Sequence, residues 1–412
     1  MTTSTSDSSA ETIDTERYTT ALAELVVRQG ANVQPGQVVA LASEPGKESL
    51  TRAIAQAAYQ AGAKFVDLTI FDVYLKRARA LYAEKDTLTY VPPWLGERAL
   101  ALGEHRCARI GLSGPVAPRA LEGVDPELIA LDALPRVPEA MKILNDQTTN
   151  WSIVPCPTTE WAALVYPELE PSAALERLWS EVAHVCRLDE PDPTAAWDSR
   201  LSYLLKVAGK LNDLDLDGVH FQGPGTDLKI GLLKSSTWLA ANMKTVDGIV
   251  HQPNIPTEEV FTTPDPARVD GHVASTKPLF TSGTTITGIK VRFEGGRAVQ
   301  IDADEGVDVL RGIAARDEGA ARLGEVALVD REGRIGPLGT VFFDTLLDEN
   351  AASHIALGQA YQVGVSAQED HARMNASEVH VDFMIGGDDV SVSGVRQDGG
   401  EIPLLRGGLW QL

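Results

Sequence analysis

Cysteine is scarce in this chain, three residues in 412, and Cys107, Cys156 and Cys186 form neither a CxxC pair nor an even-numbered framework. That argues against a disulfide scaffold and leaves reduced thiols in a cytosolic protein as the expectation. Positive charge is also in deficit: 36 Lys and Arg stand against 58 Asp and Glu, a net charge of -22. With a pI near 4.7, such a polyanion is repelled by nucleic acid and by anionic membranes, so neither is expected as a partner. No apolar run reaches the roughly 18 residues of a membrane span, and "MTTSTSDSSAETIDTERY" lacks the basic start and apolar stretch of a signal peptide. The expectation is a cytoplasmic protein with a short disordered tail over residues 1–15.

Several motifs are missing too. The stretch "SEPGKES" has the flavour of a phosphate-binding loop, but that loop needs Gly where the chain has Leu41 and Ser or Thr where it has Glu48. No GxGxxG follows a strand, and no HExxH is present. Nucleotide binding and the zincin helix therefore have no sequence support.

What is present is an ordinary globular composition, 43% hydrophobic and 23% charged, at a length that suggests two domains. A strand over Val38 to Ala42, a helix from Lys47 to Ala61 and a strand from Phe65 read as a βαβ unit. Alternation continues through "CARIGLSGP", "VPEAMKILNDQ", "WSIVPCP" and "SAALERLWSEVAHVCRL", which predicts an α/β N-terminal domain with a mainly parallel sheet over 16–215. After Leu211 the texture becomes alternating strands around a Gly295-Gly296 turn, with helices from Val307 and near Ala351. This predicts an α+β C-terminal domain over 216–412, rich in antiparallel strands and carrying the site.

Six of the eight histidines fall in that second half. In "SEVHVDFMIGG", Val379, Val381 and Phe383 share one strand face, while His380 and Asp382 share the other. That polar face is either solvated or metal-binding. "RLGEVALVD" plants Glu325 at the mouth of an apolar strand, "NIPTEEVFTTP" presents Glu258 and Glu259, and "DTLLDENAASHIALGQAY" places His354 on an expected helix capped near Asn350. A carboxylate entering an apolar strand is costly unless paired or bound to a cation. Glu259, Glu325, His354, His380 and Asp382 form a donor set suited to zinc, cobalt or manganese, singly or as a pair in which one carboxylate bridges. Each also has a bland reading as a surface carboxylate or a core histidine.

Taken in order, "NIPTEEVFTTPD", "LGEVALV", "FFDTLLDENAASHIALGQAY" and "NASEVHVDFMIGG" resemble the thermophilic-aminopeptidase family. The resemblance implies a metal-dependent aminopeptidase acting on peptides, with two divalent ions (Zn, Co, Mn or Mg) per chain. It implies Glu259, Glu325, His354, His380 and Asp382 as ligands, Glu325 bridging, with Glu258 an alternative to Glu259. Tyr361 would hold substrate or the oxyanion, and the uncommitted Glu349 is the candidate proton shuttle. A homodimer is implied as well. The rivals are another dinuclear metallohydrolase, an amidase or dipeptidase, and a non-enzymatic α/β binding protein.

Overall fold

The structure is a computed structural model that describes residues 14–412 except 133, 136, 241 and 282. Most of the tail expected over 1–15 lies outside the described residues, but its last two residues, Asp14 and Thr15, are described and belong to a capped helix. Asp14 accepts a hydrogen bond from Arg17 N and caps the helix Thr15–Leu25.

The first half is α/β as predicted. Strands β1 (Val38–Ser43), β2 (Phe65–Ile70), β3 (Ala108–Ser113) and β4 (Trp151–Pro155) form one wholly parallel sheet in the order β2-β1-β3-β4. Strand order reverses between β1 and β3, so the crevice beyond their carboxyl ends is a topological switch point. The chain leaves this half along the helix Pro193–Asp213, whose Trp197, Leu201, Leu204, Val207 and Leu211 are buried at helical spacing.

The second half is antiparallel apart from short helices. An eight-stranded sheet forms its outer layer, and within it the Gly295-Gly296 hairpin turn has both glycines at positive φ, 55° and 84°. The layer that matters for chemistry has five strands: β5 (Leu239–Ala240), β6 (Glu259–Thr262), β7 (Leu323–Val329), β8 (His354–Gly358) and β9 (His380–Met384), in the order β9-β8-β7-β6-β5. One face of it is core. Val260, Val326, Leu328, Ile355, Leu357 and Phe383 are completely buried there, each contributing about 1.5–3 kcal/mol.

His354 does not ride on a helix as expected. The helix Thr345–Asp348 and a turn over Glu349–Ala351 end before it, and His354 begins β8. The capping-like run "DEN" marks that short helix and turn, while "IALG" beyond it fills a central strand buried on both faces, where an apolar run carries no helical or alternating signature. The halves are stitched together directly: Ile153 of β4 donates to Pro253 O at 2.7 Å, and Ile255 N donates back to Ile153 O at 3.0 Å. Among the described residues no helix is long and apolar enough to cross a membrane.

Candidate metal centre

Cross-strand register explains how the polar residues converge. Antiparallel partners point to the same face, and the pairs are Glu259 with Val329, Ala327 with His354, Glu325 with Ala356, Ala356 with Asp382, and Gly358 with His380. Ala327, Ala356 and Gly358 are thus the small floor among five ligand-type side chains. At Gly324 the β7–β8 register slips between Leu323 and Glu325, a bulge that re-aims the following carboxylate. Gly358 O and Gln359 O would lie 2.4 Å from a Cβ at position 324, so only glycine permits it.

The five side chains form two overlapping triads, Glu259 with Glu325 and His354, and Glu325 with His380 and Asp382; in each, one donor atom per residue lies within 4.8 Å of the others. Glu325 is common to both and divides its oxygens. Its Oε1 is 4.0 Å from His354 Nε2, and its Oε2 is 3.5 Å from His380 Nε2. His380 Nε2 is also 3.4 Å from Asp382 Oδ1, and His354 Nε2 is 3.1 Å from Glu259 Oε2. Glu259 Oε2 is buried, and that imidazole nitrogen is the group it faces.

Both imidazoles turn Nδ1 outward to a backbone carbonyl, His354 to Ala352 O at 3.2 Å and His380 to Gln359 O at 2.7 Å. A proton on Nδ1 leaves the Nε2 lone pair facing the carboxylates, as a metal-binding histidine requires. Without a cation, protons take up the balancing of the charges. Burial, together with Glu259, raises Glu325 to about 8. Burial opposes charge on the histidines, but the surrounding carboxylates outweigh it and hold His354 and His380 up at about 9. Asp382 stays low despite its burial because His380 and His354 favour its charge. An orphaned carboxylate oxygen, two oriented imidazoles and a shared glutamate fit divalent cations of the zinc, cobalt, manganese or magnesium type.

Glu258, the alternative ligand, faces away. It is fully buried between Arg187 at 3.0 Å and Arg200 at 2.5 Å, and Arg200 also reaches Asp330 at 3.3 Å. The centre opens into a cavity of about 880 Å³, including its mouth, that Glu349 and Tyr361 also line. The Tyr361 ring lies 4.8 Å from that of His380, tilted by 47°, and Thr263 Oγ1 donates to its backbone carbonyl. Burial pushes the Glu349 carboxyl well above its usual range, and Asp382, Glu259 and Glu325 push it further.

The resemblance implies that the N-terminal α/β domain helps to shape this cavity, but sequence reasoning named none of the residues that do so. Leu144, Asn145 and Trp151 form part of its wall, beside Asn254 and Met243. Those residues carry no metal-ligand chemistry, and only the docking of the two halves brings them to the site. The three cysteines are all buried and take no part; burial lifts Cys156 to about 12.

A buried carboxylate and imidazole constellation with a shared glutamate, at the base of a cavity, is the donor set of a metallohydrolase. Residues 15–410 match the thermophilic metalloprotease (M29) family, and the chain belongs to it. It is 40% identical to aminopeptidase T of Thermus aquaticus across 94% of this chain and 97% of that one. It is 37% identical to aminopeptidase PepS of Streptococcus thermophilus, across 94% and 96%. Its fold superposes on the wild-type AmpT structure from Thermus thermophilus with a TM-score of 0.88 at 39% identity, covering 96% of this chain and all of that one.

Proposed function

We propose that the chain is a metal-dependent aminopeptidase that removes N-terminal residues from peptides at a pair of divalent ions. The observation that carries this is Glu325, whose two oxygens face two different donor groups, as a bridging ligand needs. Glu259 and His354 complete one half, His380 and Asp382 the other. The relatives' printed names, aminopeptidase T and PepS, supply the reaction class. When bound, the ions supply Lewis acidity and lower the pKa of water.

The chain's own residues do the rest. Glu349 is uncommitted to the ligand set and kept proton-avid by its surroundings, which suits a group that takes a proton from the attacking water and gives it to the leaving amine. Tyr361, beside His380, donates its hydroxyl to the oxyanion formed from the substrate carbonyl. Walls contributed by both 16–215 and 216–412 set the metal ligands back inside a cavity, where the end of an extended peptide reaches them more readily than the surface of a folded protein.

The active species is a cytoplasmic homodimer. Most of the large apolar side chains exposed among the described residues fall between Tyr59 and Leu100, among them Phe65, Ile70, Leu75, Tyr82 and Trp94. They sit on β2, the sheet's edge strand, and on the helices Val73–Tyr82 and Pro93–Glu104, the second tied to β2 by Arg98 and Asp67. A parallel sheet is normally covered on both faces. Across 59–100 six basic residues face five acidic ones, so this face is nearly neutral in a strongly acidic chain and a second copy can approach it without repulsion.

The test measures metal content alongside hydrolysis of aminoacyl-nitroanilides before and after chelation, with N-acetylated peptides as controls. Two ions per chain, loss and recovery of turnover with the ions, and survival of blocked peptides are expected. Equal cleavage of blocked and free peptides would replace the aminopeptidase reading by an endopeptidase or amidase.

A further inference from the structure

The crevice at the switch point of the parallel sheet is filled by the protein itself. Asp344, from the second half, reaches across some 230 residues of chain to the ends of β3: its Oδ2 accepts from Gly114 N at 2.8 Å and its Oδ1 from Ser113 Oγ at 3.2 Å. Lys47, from the phosphate-loop-like "PGKES", is buried nearby, donating to Glu44 at 2.7 Å and Leu112 O at 3.0 Å; burial raises the Asp344 carboxyl, and the Gly114 hydrogen bond and the Lys47 charge offset part of that rise. A carboxylate of the chain therefore occupies the place where folds of this kind take an anionic ligand.

Asp344 stands at the N-cap of Thr345–Asp348, where an Asp side chain ordinarily accepts from the first turn, but its close bonds go to Ser113 and Gly114 instead. The backbone before it is held in an unfavourable conformation, with Phe343 at φ 55°. Three further bonds hold the segment: Trp161 Nε1 donates to Phe342 O at 2.5 Å, and Asp348 accepts from Phe342 N at 2.8 Å and Asp344 N at 3.1 Å. Gly114 must lack a side chain, since a Cβ there would meet the Trp161 ring at 2.6 Å. At the far end Asn350 accepts from Glu258 N at 2.6 Å and donates to Leu346 O at 2.9 Å. Between these anchors lies Glu349.

We infer that Asp344 is a positioning residue: by latching segment 342–350 to Ser113 and Gly114 of the N-terminal half, it fixes where the Glu349 carboxylate stands in the metal cavity. The inference rests on the reading of Glu349 as proton shuttle. It assigns the α/β half an indirect part in catalysis, as the anchor of the latch, because a displacement of about 1 Å at a proton-transfer group can lower turnover some hundredfold.

The test is a double-mutant cycle in the metal-loaded enzyme with Asp344→Ala, Glu349→Gln and their combination, each checked for metal content and melting temperature. Asp344→Ala is expected to lower kcat about 10- to 100-fold, with KM and metal content near wild type. In the Glu349→Gln background the same change should add almost nothing, because its target is already gone. Amide hydrogen exchange across 342–350 should quicken in Asp344→Ala without metal as well as with it. Asp344→Asn, which keeps the shape but can accept only one of the two bonds, should lie between and serves in place of Asp344→Ala should that variant not fold. Equal losses in both backgrounds, or an unchanged kcat in Asp344→Ala, would overturn the inference while leaving the Glu349 reading intact. An undiminished kcat in Glu349→Gln would defeat that reading itself, and the inference with it.

Discussion

Glu259 Oε2 lies 3.1 Å from His354 Nε2, buried and without a hydrogen bond. In the ion-free protein the carboxylates hold a proton on His354, so the pair is a buried imidazolium facing a carboxylate, and a divalent ion would take that proton's place. Glu325 repeats the relationship on its other side with His380, and this determines how many ions should be lost when each ligand is removed.

Glu325→Ala should bind neither ion firmly, whereas His380→Ala and Asp382→Ala should each keep close to one per chain. Metal analysis of dialysed protein reads the difference directly. Two ions retained by Glu325→Ala would contradict its shared position.

Metal affinity should climb steeply with pH. His354 and His380, near 9, and Glu325, near 8, hold protons at neutral pH in the ion-free protein, and a cation must displace those protons to reach the lone pairs. Affinity therefore rises as pH increases towards 9, by up to about tenfold per pH unit for each proton displaced. Calorimetric titration with zinc in buffers of different ionisation enthalpy should register proton release on binding; a pH-independent affinity with no release would rule this out.

Ala356 lies between Glu325 and Asp382 in the cross-strand row, so its methyl is the floor of the centre. Ala356→Leu should push into the space the ions need. The overpacking costs about 1–3 kcal/mol, and metal binding should fail in the folded protein. Circular dichroism together with metal content separates that outcome from unfolding, and a fully loaded variant would show that the floor lies elsewhere.

Period-two alternation made the His380 and Asp382 face legible, because it is a local property of five residues and survives any tertiary context. The parallel sheet was legible for the same reason, as strands and helices alternated at short range. Other features were not. His354 was assigned to a helix because cap-like residues precede it, and only pairing with β7 and β9 fixes it as strand. Glu258 and Glu259 cannot be told apart from composition, since what separates them is Arg187 and Arg200, some sixty to seventy positions away in sequence. The Gly324 bulge, the Asp344 latch and the Trp151 wall depend on contacts between distant segments that leave no local pattern.

The exposed face around β2 offers a test of assembly. Replacing Leu75, 70% exposed, and Tyr82, 84% exposed, with glutamate should leave the fold intact, since neither side chain is in the core. Like charges on both sides of a two-fold interface repel, so sedimentation should shift from dimer to monomer. Dimers of unchanged stability would place the interface on another face.

The adjacent carboxylates Glu258 and Glu259 should fail in opposite ways. Glu258 is sealed between Arg187 and Arg200, with Arg200 also bonded to Asp330 and Trp410 Nε1 donating to Asp330 at 2.8 Å. Glu258→Ala strands the buried Arg187 guanidinium and leaves Arg200 with Asp330 as its one carboxylate partner, a change that costs about 3–5 kcal/mol, so melting temperature should fall sharply while the folded fraction still binds metal. Glu259→Ala instead removes a carboxylate whose inner oxygen has no hydrogen bond to lose. It also relieves like-charge repulsion on Glu325. Because the lost repulsion on Glu325 offsets the lost partner of His354, stability of the ion-free protein should change far less than in Glu258→Ala, while metal content and turnover collapse. Thermal unfolding of the two ion-free variants, paired with their metal stoichiometries, gives a crossed pattern, and the same pattern with the residues exchanged would mean that Glu258 is the ligand.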